Sequence, residues 1–162
     1  MASWNEFHLA RPEMAEEGHR LLYEFGVGLA FLGTVRPDGG PRVHPICPIL
    51  ATTGLYAFLI PSPKRNDLLR DDRYTLHSFP ADNNEDAFSV TGTAVPRDTE
   101  AARGPLLRQF LEERPDLDPA RAGLERYLLF EFDLDGCLLT QTTGHGDPGP
   151  VHTVWHAHAE ED

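Results

Sequence analysis

Positive charge gathers in one short stretch of this chain. Ser62-Pro63-Lys64-Arg65-Asn66-Asp67-Leu68-Leu69-Arg70, followed by Arg73, is locally basic, yet the whole chain carries a formal net charge of −12. Ser62-Pro63 reads as the opening of a short helix with Lys64 and Arg65 in its first turn. A helix start offers unpaired amides and the positive end of the helix dipole, and both suit a phosphate. Cationic side chains there add charge-assisted hydrogen bonds. Arg42, on an extended run, lies opposite this segment and strengthens the ligand reading. The alternative is a solvated basic face whose cations pair with Asp67, Asp71 and Asp72.

Other chemistry-bearing residues are sparser. His44 sits on an extended run, where it either faces a ligand or is a core histidine with a satisfied ring. His152, His156 and His158 have spacings that bring two imidazoles together for a metal only if the segment is helical. A strand instead puts His156 and His158 on one face, and no metal site is predicted. Ser78 and Ser89 have no evident base, and there is no G-x-S-x-G nucleophile elbow and no G-x-G-x-x-G fingerprint. Cys47 and Cys137 are far apart without C-x-x-C spacing, which predicts buried small apolar residues in a reducing compartment. Tyr56 and Tyr74 read as packing, and Glu6 as a helix cap.

The elements that must hold these residues follow from the pattern. A length of 162 residues, 40% of them apolar, suits one domain with one real core. Lys plus Arg total 14 against 26 Asp plus Glu, so nucleic acid and anionic membranes are poor partners. No charged segment precedes an apolar stretch at the N-terminus, and no apolar run nears the ~20 residues that span a bilayer. A soluble, cytoplasmic protein is expected. Ser3 and Glu6 have capping-box spacing for a first helix, and Pro12 suits the first turn of a second. Extended runs follow at residues 29–35, 42–50 and 55–60, then a short helix, then runs at 74–79, 88–95 and 127–140, with a last short one at 151–155. The turn Pro37-Asp38-Gly39-Gly40 marks a hairpin. Pro45 and Pro48 demote their run to an edge or a bulged barrel strand. A bend is expected at Asp135-Gly136, and a helix with an apolar side spans 98–113. Hairpin connections argue for a mainly β, α+β domain of about six antiparallel strands closing into a barrel. The expected layout is N-terminal helices over 1–26, a barrel core over 27–97, a helical insert over 98–123, and last strands and tail over 124–162.

Three pieces in order carry a resemblance: Leu32-Gly-Thr-Val-Arg-Pro-Asp-Gly-Gly-Pro-Arg-Val-His-Pro, then Gly54-Leu-Tyr-Ala-Phe, then Ser62-Pro-Lys-Arg-Asn-Asp-Leu-Leu-Arg-Asp. The series resembles the pyridoxamine 5′-phosphate oxidase-related family, whose members have an FMN-binding split β-barrel. The resemblance implies a six-stranded antiparallel split β-barrel with flanking helices, and a homodimer with two sites at the subunit interface. It further implies that Arg42, Val43, His44 and Pro45 line the flavin, with Phe58 and Leu59 beside it. Ser62, Lys64 and Arg65 would hold the FMN phosphate, and Trp155 resembles a tryptophan found near the flavin. Pro63 departs from the pattern by removing an amide and a hydroxyl from the phosphate loop. The C-terminal Arg-x-His of true pyridoxamine 5′-phosphate oxidases is replaced by Trp155-His156-Ala157-His158, so that activity is not expected. Related split barrels use a deazaflavin or bind haem. The expectation is an FMN-dependent oxidoreductase acting on a small molecule, with no catalytic side chain assigned. The alternatives are a flavin-storage or flavin-sensing protein, a deazaflavin- or haem-binding barrel, and a cofactor-free barrel kept for dimerisation, for which Pro63 is the best argument.

Overall fold

The hairpin turn sets the register of the first two strands. Asp38 accepts a hydrogen bond from the Gly40 amide (2.9 Å) and forms an ion pair with Arg36, and Gly39 takes a φ of +83° that favours glycine. In the computed structural model, which describes residues 1–157, this turn joins β1 (Ala30–Val35) to β2 (Pro41–Ile46). The chain continues through β3 (Pro48–Ala51), β4 (Gly54–Leu59), β5 (Arg73–Ser78), β6 (Ala87–Pro96), β7 (Leu128–Gln141) and β8 (Val151–His156). The helices are α1 (Trp4–Ala10), α2 (Pro12–Leu22), α3 (Pro63–Arg70), α4 (Glu100–Glu112) and the single turn α5 (Pro119–Ala122).

All pairings between these strands are antiparallel, in the order β2-β1-β5-β6-β7-β4-β3, with β8 added on β7. The two ends of this order are one continuous piece of chain, because β2 and β3 are separated by Cys47 alone. The run closes the barrel by pairing first with β1 and then with β4. Six strands were expected and eight segments are present. The difference has two causes: the proline-bearing run breaks at Cys47, where it changes neighbours, and β8 lies outside the closed circuit. Counted as one, β2/β3 gives six staves.

β7 is the longest strand, and it serves two neighbours on one edge. Its first residues pair with β4 and its last with β8, while β6 runs along the other edge. The bend expected at Asp135-Gly136 is a bulge. Thr91 pairs with Gly136 and Gly92 with Leu134, which leaves Asp135 unmatched. A Cβ at Gly92 would lie 1.9 Å from the Asp133 carbonyl oxygen, so glycine is required there.

Ser3 caps α1 with the expected reciprocal bonds to Glu6, and Pro12 opens α2. Both helices close the main core. Trp4, Phe7, Met14, Leu21 and Leu22 pack over barrel residues such as Leu32, Leu76, Phe88 and Phe132. On the opposite face of β3, β4 and the start of β7, α4 covers a second cluster of Ile49, Tyr56, Phe58, Leu106, Phe110 and Leu129. β4 is therefore buried at every position. α4 reaches no farther. Two neighbouring rows of residues cross the outer face of the other strands: Pro45, Phe31, His77, Ser89, Leu138, Val154, and Val43, Gly33, Thr75, Thr91, Gly136, His156. Neither row holds a carboxylate, lysine or arginine.

Candidate functional site

α3 follows β4 directly and packs against β1 and β6. No side chain caps it. The Ser62 hydroxyl turns back to the Ile60 carbonyl (2.8 Å), and Pro63 occupies the first turn. The amides of Lys64 and Arg65 thus stand at a helix start without a capping group.

The basic residues divide into two sets. Arg73 is paired with Asp71 by two bonds of 2.9 and 2.7 Å, and those bonds hold the Asp71 carboxyl down at about 2. Arg42 donates through Nε to Asp67 (2.6 Å), and Arg70 through Nη1 (3.3 Å) and also to the Val35 carbonyl. Asp67 is only 2% exposed and accepts a third bond from the Thr34 hydroxyl (2.9 Å). Burial pushes its carboxyl up, but the bonds from Arg42, Thr34 and Arg70 prevail and hold it below its ordinary value. Lys64 and Arg65 behave differently. Neither has a carboxylate partner among the described residues. Burial lowers the Lys64 ammonium from its ordinary value. Arg65 donates Nη1 to the Arg126 carbonyl (3.0 Å), while its Nε is buried with no partner. Buried polar groups are nearly always satisfied, so this orphan donor marks a place for an acceptor. The paired-cation reading of the sequence holds for Arg42, Arg70 and Arg73, while Lys64 and Arg65 have no carboxylate partner among the described residues.

The other sequence-identified residues are spread over the barrel. Arg42 and His44 face inward from β2 and are half-buried, while Val43, 62% exposed, and Pro45 face outward. The His44 ring makes no hydrogen bond among the described residues. Phe58 is packed edge-on against Phe110 with the Arg103 guanidinium over its ring, and Leu59 lies in the main core. What these two can offer a ligand is therefore backbone. Trp155 stacks at a tilt on Phe7 (4.8 Å) beside the main core, on β8 outside the closed circuit. One subunit does not gather all ten sequence-identified residues at a single place.

His152 and His156 lie on a strand, which overturns the helical spacing that could have joined them. Four residues of strand span roughly 13 Å, and His152 is bonded to Thr140 instead. His158 lies outside the described residues. No group of His, Cys, Asp or Glu fit for a metal ion occurs among the described residues. Both cysteines are free, and burial pushes the Cys137 thiol up. No helix is long and apolar enough to cross a membrane.

Sequence reasoning treated Asp67 as a solvated partner and missed its burial. It also missed an aromatic step on the outer face, in which Phe31 stacks on Phe79 (4.4 Å) and Phe79 meets Phe25. The signal for Asp67 was an acid inside a basic helix three residues before Arg70. No sequence pattern marked the aromatic step.

No family model matches this chain, and no curated protein does. Solved structures do. A Clostridium acetobutylicum protein related to general stress protein 26 of B. subtilis, described as of the pyridoxinephosphate oxidase family, is 14% identical with a TM-score of 0.60, over 94% of this chain and 96% of that one. HutZ, the heme storage protein of Vibrio cholerae, is 17% identical with a TM-score of 0.57, over 76% and 89%. A heme binding protein from Mycobacterium smegmatis is 14% identical with a TM-score of 0.65, over 88% of this chain but 58% of that one. At such identities the likeness is one of fold. Joined to the closed β2/β3 circuit, it establishes that this chain has the split β-barrel fold of pyridoxamine 5′-phosphate oxidase-like proteins.

Proposed function

We propose that this chain binds FMN as a homodimer and acts as a flavin-dependent oxidoreductase on a small molecule. The observation that carries the reading is the first turn of α3: two cations without counter-charge, uncapped amides and the orphan Arg65 Nε. That set fits a phosphate monoester. Lys64, Arg65 and the turn's amides hold the phosphate, with Ser62 beside them. The β2 segment Arg42 to Pro45 lies along the flavin ring, and the ends of Phe58 and Leu59 supply backbone. When bound, the flavin supplies the redox chemistry, and the protein's part is to place and tune it. No acid–base dyad is required of the chain.

The dimer reading rests on the bare outer face. Its two rows cross six strands without a formal charge in a chain of net charge −12. Interface cores are depleted in charge. Trp155, on β8 outside the closed circuit, would then serve a site closed by two subunits. The free thiols of Cys47 and Cys137 fit the cytoplasm.

A second reading has one specific observation behind it. The half-buried His44 ring has no hydrogen-bond partner among the described residues, and two of the similar structures are heme proteins. His44 would then be a haem ligand. The absorption spectrum of the purified protein, before and after adding FMN and passing it through gel filtration, tests both. Flavin bands that travel with the protein support the FMN reading. A Soret band that His44→Ala removes replaces it with the haem reading, and a colourless protein that retains neither ligand refutes both.

A further inference from the structure

Asp67 is the one acidic side chain in the core among the described residues, and its surroundings are unusual for a simple tether. It lies 2% exposed at the junction of three elements. Thr34 reaches it from β1, Arg42 from β2, and Arg70 from its own helix α3. Taking a carboxylate out of water is expensive unless it is paired and fully hydrogen-bonded. All three partners donate, and a carboxylate accepts on both oxygens, whereas a carboxamide of the same shape turns a donor toward one of them.

What the charge does is fix one guanidinium. Arg42 uses Nε for Asp67 at 2.6 Å, the shortest bond of the three. Its Nη1 and Nη2 make no hydrogen bond among the described residues. An arginine anchored through Nε presents its two terminal nitrogens as a fixed fork. Arg70 is held differently: it spends Nη1 on Asp67 and Nη2 on the Val35 carbonyl, so both its terminal nitrogens are taken.

We infer that Asp67 is a positioning residue that holds the Arg42 guanidinium with both terminal nitrogens turned to the bound ligand. This rests on the FMN reading above, in which Arg42 lies along the flavin. Two effects of Asp67 on an anionic ligand have opposite sign, which makes the inference testable. As a negative charge near the phosphate it opposes binding; as the anchor of Arg42 it promotes binding. If charge alone mattered, Asp67→Asn would tighten FMN binding. If positioning dominates, the same change weakens it.

The experiment is FMN titration by fluorescence quenching on the wild type, Asp67→Asn, Arg42→Gln and the double variant, each first checked for folding by circular dichroism. The expected result is at least a tenfold loss in Asp67→Asn, a similar loss in Arg42→Gln, and no further loss in the double variant. A residue of merely structural importance would give additive losses. Unchanged or tighter binding by folded Asp67→Asn, or additive losses, overturns the inference and leaves the FMN reading standing. A wild type that does not bind FMN overturns both. Should Asp67→Asn fail to fold, Thr34→Val decides. It removes one bond to Asp67 while keeping its charge and the shape of residue 34. A several-fold loss supports the positioning role, and unchanged affinity refutes it.

Discussion

Replacing Lys64 and Arg65 together by alanine should abolish the preference for a phosphorylated flavin while leaving the barrel intact. Hydrogen bonds to charged groups are worth about 1.5–3 kcal/mol each, so two bonds set an upper range of about 3–6 kcal/mol. The structure reduces this. Lys64 is only half-buried, Arg65 already spends Nη1 on the Arg126 carbonyl, and the first-turn amides survive the substitution. About 2–4 kcal/mol remains, or roughly thirty- to a thousand-fold in Kd. The assay is paired titration with FMN and with riboflavin, which has the same ring system and no phosphate. FMN affinity should fall by that factor and riboflavin affinity should not change. Raising salt should weaken FMN binding to the wild type and have less effect on the variant, since the anion contact is screened. FMN affinity within twofold of wild type would refute the phosphate assignment. A parallel loss of riboflavin affinity would refute it too, because the side chains would then be supporting the fold and not the phosphate.

Further outcomes follow from other parts of the molecule. Val43→Glu puts a carboxylate into the uncharged outer face at an exposed site; light scattering should report a dimer for the wild type and a monomer for the variant, with little change in circular dichroism. Tyr23→Phe removes a hydroxyl that accepts from the Leu50 amide (3.1 Å) and donates to Glu113 (3.2 Å), and should destabilise the fold by about 1–3 kcal/mol in denaturant melts. Burial, with Glu113 nearby, raises the Tyr23 phenol to about 12 from 10.0, so this tyrosine's stabilisation is complete below pH 10 and is lost as pH rises toward 12; the ultraviolet titration of the variant should lack this late step. Gly92→Ala drives a Cβ into the Asp133 carbonyl at 1.9 Å, where backbone has to move, and should lower stability by about 3 kcal/mol, the upper end of the usual overpacking cost.

How much of this was legible depends on whether a feature is local. The hairpin at Asp38-Gly39, the Ser3–Glu6 cap and the six staves of the barrel follow from turn chemistry and alternation within a few residues, and the structure has all three. The bulge at Asp135 was visible only as a bend, because a bulge is fixed by the facing strand, where Gly92 takes its close contact. Asp67 looked like any acid in a charged helix. Its burial is created by Thr34 and Arg42, 33 and 25 residues away, and no local pattern encodes that. The half-cover provided by α4 was equally hidden: the periodicity of a helix tells which side is apolar, not how far across a sheet that side extends.

The prolines of β2 illustrate how a sequence irregularity shapes a sheet edge. The Arg36 amide bonds to the Gly40 carbonyl at the hairpin neck (2.8 Å), so Gly40 and every second residue after it turn their backbone groups toward β1. Arg42, His44 and Ile46 belong to that set. Pro41, Val43 and Pro45 turn theirs to the other edge, where β2 has no strand neighbour. An edge of this kind normally displays alternating donors and acceptors that invite another strand. Here two of three donors are absent, because proline has no amide. The edge keeps three carbonyls and one N–H, that of Val43. It is a poor template for sheet extension and a selective one for a small planar ligand with an acceptor at a single matching point. The same residues that weaken the run as a strand therefore leave it as an edge suited to the flavin ring proposed above, with Arg42 beside the lone amide and the proposed phosphate site at the start of α3.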